Sequence, residues 1–236
     1  MKNIFLLLIF TTQFYVLGQE IKMPDNFIEK PIPTLESEEW YSLNHAGYYY
    51  YVKMHKGKLI AEKSTEEYNA ELKIPEGKLI AENNGEWGGK LYFQPKNSLK
   101  RIEVKSGNIV DIFKFKNKIY IVEGLAHMGS SSGAIYELIR QDNEFIYKKI
   151  LNFENDAPVL LTNFRNKVYM VSDKNFYEID LRNGTSDKIL ENQFWRGLYP
   201  QSIVIFDEKN IFVGIRGGIV KINAKDKTMN FYTDKK

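Results

Sequence analysis

The chain has 236 residues, 43% of them hydrophobic, 14% aromatic and 27% charged, and no cysteine. That apolar content offsets the entropy of ordering and excludes a disordered chain, while the missing cysteine excludes disulfides, a thiol nucleophile and cysteine-ligated zinc. With 33 basic against 30 acidic residues the net charge is only +3, so nothing indicates a nucleic-acid partner.

The N-terminus reads as a targeting segment. Lys2 precedes an apolar run over residues 4–10, and the stretch stays uncharged to Gly18. Val16 and Gly18 stand where a signal peptidase expects a branched and a small residue. The apolar core is too short to span ~30 Å of hydrocarbon. Residues 1–18 are therefore expected to be a cleaved signal peptide, with a product beginning near Gln19 that is secreted or periplasmic and not stably inserted in a membrane. No cysteine follows, which excludes a lipoprotein anchor. Abundant Lys, Asn and Ile fit an AT-rich bacterial source. Residues 19–39 are expected to be an extended N-terminal segment, and residues 40–236 a single repeat domain.

Self-similarity organises that domain. The segment Lys118-Ile119-Tyr120-Ile121-Val122 matches Lys167-Val168-Tyr169-Met170-Val171, then Asn210-Ile211-Phe212-Val213, and more loosely Lys90-Leu91-Tyr92-Phe93. A similar short motif precedes each copy, at 109–115, 159–164, 203–206 and 79–82. Another follows each, at 134–138, 175–179, 218–222 and 98–102. A fourth appears at 145–151, 187–190 and 229–233. All are β-branched or aromatic and bounded by Asn, Asp, Gly or Lys, which is strand chemistry. Tight turns are expected at Asn117-Lys118, Arg165-Asn166 and Lys209-Asn210. The unit is four consecutive antiparallel strands, repeating about every 42 residues over 109–234. That matches the ~40–45-residue blade period of a β-propeller. Clear blades are expected at 109–151, 158–190 and 202–234. Degenerate ones are expected within 40–107, where Gly57-Lys58-Leu59-Ile60-Ala61-Glu62 recurs at 77–82 in two hairpins. The fold class is all-β, a propeller of four to five blades, with a β-sandwich as the alternative. The strand patterning resembles the broad propeller class that includes quinoprotein-like and YVTN-type families. The resemblance implies a fold and no activity, and the WD dipeptide of WD40 repeats is absent.

Antiparallel counting puts the loops between second and third strands on the same face as the connections between blades. The second-to-third spacing is eight residues from Leu91 to Leu99, Val168 to Phe176 and Ile211 to Ile219, but sixteen from Ile119 to Ile135. The extra residues fall in 123–133, a loop with three glycines and His127. A lengthened loop on a rigid scaffold is a usual place for binding. The expected binding face comprises His127, Ser130, Asp173, Lys174, Trp195, Arg196, Tyr199 and Arg216. Trp195 also fits as a plug between two blades. Glu154 and Asp156 belong to another blade connection, and Trp87 is placed on the opposite face.

Enzyme signatures do not assemble. The three histidines, His45, His55 and His127, share no metal-binding spacing, and no Gly-x-Ser-x-Gly elbow or phosphate loop is present. No motif selects a pair from the carboxylates Glu123, Glu154, Asp156 and Asp173 for glycoside hydrolysis. No catalytic residue, metal or cofactor is assigned. The expected function is an exported binding protein whose loop-rich face engages a protein, peptide or glycan. The alternatives are a polysaccharide hydrolase on a five-bladed propeller and a structural envelope subunit.

Overall fold

The structure is a computed structural model describing residues 21–142 and 144–235. The expected signal peptide therefore lies outside the described residues. In chain order the elements begin with β1 (Phe27–Lys30) and α1 (Glu38–Asn44). Two hairpin strands follow, β2 (Tyr49–His55) and β3 (Lys58–Ser64). Next come β4 (Glu71–Ile74), β5 (Gly77–Asn83), a 3-10 turn (Gly85–Trp87), β6 (Gly89–Pro95) and β7 (Ile102–Ser106). The third group is β8 (Ile109–Phe115), β9 (Lys118–His127), β10 (Ser130–Gln141) and β11 (Glu144–Glu154). The fourth is β12 (Pro158–Phe164), β13 (Lys167–Ser172), β14 (Phe176–Asp180) and β15 (Thr185–Leu190). The last is β16 (Ser202–Asp207), β17 (Asn210–Ile215), β18 (Gly218–Asn223) and β19 (Thr228–Asp234).

The chain is all-β, with separate antiparallel sheets. Three have four strands in sequence order, β4 to β7, β8 to β11 and β12 to β15. β16 to β19 form a fourth such set, and β1 adds to its outer edge beside β19. β2 and β3 make a two-stranded sheet. Residues 40–107 thus hold one four-stranded sheet and one incomplete one. No described helix is long and apolar enough to cross a membrane.

Alternation within the repeated second-strand motif builds the core. Side chains on a strand point to opposite faces in turn. On β17, Val213 and Ile215 join the apolar cluster shared with β12 to β15, while Phe212 joins the one shared with β2 and β3. On β13, Tyr169 and Val171 face the first of these clusters, and Val168 and Met170 face β8 to β11. On β9, Tyr120 and Val122 meet that second set, and Ile121 packs toward β5 and β6. β9, β13 and β17 are therefore buried on both faces, so they read as unbroken apolar runs rather than alternating ones. Each such side chain contributes about 1.5–3 kcal/mol by leaving water.

Turn chemistry sets register. Lys116 and Asn117 both have positive φ (47° and 63°), the pairing that lets a two-residue turn follow the strand twist. At the expected turn Arg165-Asn166 only Arg165 does so (φ 56°). The turns expected at Asn117-Lys118 and Lys209-Asn210 close one residue earlier, at Lys116-Asn117 and Glu208-Lys209, because Lys118 and Asn210 already pair in β9 and β17.

Between β3 and β4 the joint is polar. The segment over residues 65–70 carries Glu67, which accepts from the Tyr49 hydroxyl at 3.0 Å, and Glu66, whose carbonyl accepts from Tyr51 at 2.9 Å. The Tyr68 amide donates to Gln201 Oε1 at 2.7 Å. Among the described residues no apolar cluster joins β2 and β3 to β4 through β7.

Three expectations need correction. The segment over 79–82 is a second strand, not a first, because Glu71–Ile74 pairs before it through a turn at Pro75 and Glu76. The copy at 90–93 is consequently a third strand, and Leu99 is exposed in a connection rather than paired. Second, the segment over 19–39 is not wholly extended, since α1 begins at Glu38. Ser37 caps it by accepting the Trp40 amide at 3.2 Å, and burial of Trp40 holds a helix otherwise too short to persist. Third, residues 123–133 are not a loop. β9 and β10 extend as a continuous hairpin that closes at Met128 and Gly129, both with positive φ.

Candidate functional site

The turns joining second to third strands and the connections between sheets lie at one end of the molecule and bond to each other. The Asp173 amide donates to the Ala157 carbonyl at 2.8 Å, the Gln193 amide to the Lys174 carbonyl at 2.7 Å, and the Arg216 amide to the Leu198 carbonyl at 2.7 Å. α1 sits on this end. Trp40 Nε1 donates to the Phe194 carbonyl at 2.8 Å, and Asn44 Nδ2 donates to the Gly197 carbonyl at 2.8 Å.

A cleft of about 310 Å³ opens here. The tip of the β9–β10 hairpin supplies His127, Ser130 and Ser131. The β13–β14 turn supplies Asp173 and Lys174, and the connection after β15 supplies Arg196. Leu35, Glu36 and Trp40 form the wall contributed by the N-terminal part of the chain, and Asn155 completes it.

Buried polar chemistry holds these donors in place. Asp156 lies behind the β13–β14 turn, and its Oδ2 accepts from Ser172 Oγ (2.7 Å), Asn175 Nδ2 (2.6 Å) and the Tyr177 hydroxyl (2.7 Å). Its Oδ1 is buried without a partner. Ser172 Oγ also accepts the Asn175 amide at 2.8 Å. Asn175 Oδ1 accepts the Asn192 amide at 2.9 Å, which ties the turn to the next connection. Asp156 is therefore a brace, and Asp173 and Lys174 project from a turn with little freedom. Burial raises the Asp173 carboxyl above its ordinary range, against the opposing pull of Arg196, Lys174 and the Gly197 amide. Arg196 Nε stands 3.7 Å from Asp173 Oδ2 with its side chain half exposed, a contact worth little to stability.

His127 Nε2 meets Glu86 Oε2 at 2.6 Å. Glu86 belongs to the 3-10 turn after β5, so this pair links two sheets across the end of the molecule. The turn is fastened where Asn108 Nδ2 donates to the Gly85 carbonyl at 2.8 Å. Trp87, beside Glu86, is 84% exposed. Its expected place on the opposite face is corrected: with 77–83 as a second strand, the turn over 84–88 falls on the His127 side. Antiparallel counting would have found this had Glu71–Ile74 been taken as the first strand.

Of the eight residues expected on this face, His127, Ser130, Asp173, Lys174 and Arg196 converge on the cleft. Trp195 does not; it is fully buried, its Nε1 donating to the Ser172 carbonyl at 3.2 Å within the core between β12–β15 and β16–β19. Its place on the binding face is therefore corrected, because an indole of this size gains more by filling the gap between sheets. Arg216 and Tyr199 lie apart from the cleft. The Arg216 guanidinium sits 4.3 Å from the Tyr199 ring centre and 4.9 Å from that of Tyr49. It donates to the Asn44 carbonyl at 2.9 Å and to the Tyr49 hydroxyl at 2.5 Å, which pins α1 and β2 together. The sequence reading missed Trp40, Glu36 and Ser131, whose place in the cleft depends on how α1 and the hairpin dock.

Compared with protein-family models and with curated proteins, the sequence matches none. The functional reading therefore rests on the residues themselves. Glu123 pairs with Lys105, Asp156 is engaged as a brace, and Asp173 faces Arg196. Among the described residues no group of three or more His, Asp or Glu could hold a metal ion.

Proposed function

We propose that this chain is an exported binding protein that captures a protein, peptide or glycan through the end bearing the cleft. In the same reading its sheets stack as a propeller-like array of four full blades and one two-stranded blade. Support for the array comes from apolar clusters shared between neighbouring sheets from β4 to β19 and between β16–β19 and β2–β3, and from the pairing of β1 with β19, which joins the first and last described strands. Support for export is the leader pattern of residues 1–18.

The observation that carries the binding reading is convergence. Side chains from the β9–β10 tip, the β13–β14 turn and the connection after β15 meet around one cleft on braced backbone, beside an exposed Trp87 and a 91% exposed Met128. Trp87 and Met128 add exposed aromatic and apolar surface at the rim of the cleft. No two of the candidate carboxylates form a free pair, which favours binding over hydrolysis.

The test is capture from the native envelope extract with immobilised protein, comparing wild type with a His127→Ala/Arg196→Ala double variant. Both side chains are substantially exposed, so the variant is expected to keep its melting temperature within about 2 °C and to lose the captured partner. Equal recovery by wild type and variant would sink the proposed site.

A further inference from the structure

The unmatched donors of the cleft point to a more specific ligand, an inference that rests on the binding reading above. Arg196 turns one edge toward Asp173. Its terminal nitrogens make no ion pair or hydrogen bond to the described protein. Lys174 lies in the field of Asp173, yet its ammonium makes no ion pair or hydrogen bond either. Ser131 Oγ is buried with no partner, and Ser130 lines the same wall. Asp173 faces Arg196, and the Gly197 amide also pulls on its carboxyl. Arg196 thus presents terminal nitrogens that are unpaired among the described residues, with one edge of its guanidinium held near a carboxylate. A planar carboxylate is the group that satisfies such a fork with two parallel hydrogen bonds.

The surroundings favour a sugar as the carrier of that carboxylate. Hydroxyl and amide side chains, Ser130, Ser131 and Asn155, line the cleft with the cations and suit ring hydroxyls, while Leu35, Trp40 and Met128 add apolar surface for the apolar side of a ring. The cleft volume admits one or two sugar rings. The His127–Glu86 pair bridges from the cleft to the turn bearing Trp87. An exposed indole offers a flat face on which the apolar side of a further sugar ring stacks.

We propose that the cleft binds an oligosaccharide bearing a carboxylate. Arg196 and Lys174 take the carboxylate, Ser130, Ser131 and Asn155 take hydroxyls, and Trp87 stacks on an adjoining ring. Glu36, an exposed acid that also lines the cleft, repels any ligand carboxylate placed near it.

Calorimetric titration of the mature protein tests this with trigalacturonate, a hyaluronan tetrasaccharide and 3′-sialyllactose. Neutral oligosaccharides of matching length and a short Glu-rich peptide serve as the comparison arms. At least one acidic oligosaccharide is expected to bind about tenfold or more tightly than its neutral counterpart. Arg196→Gln should weaken it about 10- to 100-fold. Lys174→Gln should weaken it less, and Glu36→Gln should strengthen it. Trp87→Ala should weaken the longer ligands while leaving the melting temperature unchanged.

Equal affinity for neutral and acidic sugars would overturn the proposal, as would indifference to Arg196→Gln. Preferential binding of the peptide would overturn the sugar assignment and leave the binding face standing. If none of the sugars binds but envelope capture persists and still needs His127 and Arg196, this inference alone is wrong. If capture also fails, both readings fall.

Discussion

Asp111 shows how one buried side chain couples several sheets. It lies on β8 and accepts hydrogen bonds from the Ile112 amide at 2.8 Å, the Leu161 amide at 2.9 Å and the Tyr68 hydroxyl at 3.1 Å. It therefore joins its own strand to β12 and to the segment that follows β3. Burial pushes its carboxyl up to about 6, and the three donors pull against that rise. A folded-state value above that of an unfolded carboxyl, about 3.9, means the folded state holds the proton more tightly. Stability from this group is therefore fully present below about pH 4 and is lost as pH rises through about 6. Relative to Asp111→Asn, the wild type should gain stability, at most roughly 3 kcal/mol, as pH falls from 7 to 4. Urea midpoints of both proteins across that range check it, and parallel pH curves would refute the role given to Asp111. None of this was legible beforehand, since the sequence shows an Asp inside an apolar run and not the donors that converge on it.

At the scale of elements, the β9–β10 hairpin is the most informative. Its length and its glycines were visible in the sequence, but their purpose was not. Gly124 and Gly133 pair directly across the two strands. A Cβ on Gly124 would stand 2.0 Å from the Pro158 carbonyl oxygen, and one on Gly133 would stand 2.4 Å from Pro158 Cδ. These two residues let the start of β12 press against the hairpin. Only Gly129 serves the turn, at φ 81° with open space around it. Gly124→Ala is expected to cost about 1–3 kcal/mol by overpacking. Gly129→Ala should cost about 1–2 kcal/mol from its left-handed backbone. Gly124→Ala should also displace the hairpin tip and with it His127. Chemical denaturation reads the first effect, and amide chemical shifts of 125–132 read the second. A Gly124→Ala protein with wild-type stability and an unmoved tip would contradict the packing described.

The misassigned strands near residue 80 belong to the same scale. Glu71–Ile74 is only four residues long and half exposed, so it carries little periodic signal. The run reads as one arm of a hairpin with 77–82, but counting 79–82 as the first strand shifted every strand of that sheet by one and sent Trp87 to the wrong end. The three later sheets have longer, more buried strands, and their positions follow the repeat closely.

Over the whole molecule, the first and last described strands are joined. Phe27 on β1 is buried against Tyr50, ring centres 5.1 Å apart, and β1 pairs with β19 from Phe27↔Asp234 to Lys30↔Phe231. Lys63 reaches Asp234 at 2.6 Å, which adds a tie from β3 to the same strand. Phe27→Ala is expected to cost about 3–5 kcal/mol. It should also expose β1 and β19 together to hydrogen exchange, because they form one cooperative edge. Loss of protection in β1 with β19 unaffected would show that the two strands are not coupled.

The sequence by itself determined the all-β class, the four-strand period and the span of the three later sheets. It also marked His127, Asp173, Lys174 and Arg196 as sharing one end. These are local properties: alternation, turn residues and spacing are written in consecutive positions, and antiparallel counting converts them into ends of a sheet. Only the tertiary structure decided that β1 joins β19, that Trp195 is core while Trp87 is exposed, and that α1 walls the cleft. Those outcomes depend on which apolar faces meet and which buried donors find acceptors. Residues far apart in the chain settle such matters jointly, and no local pattern records them.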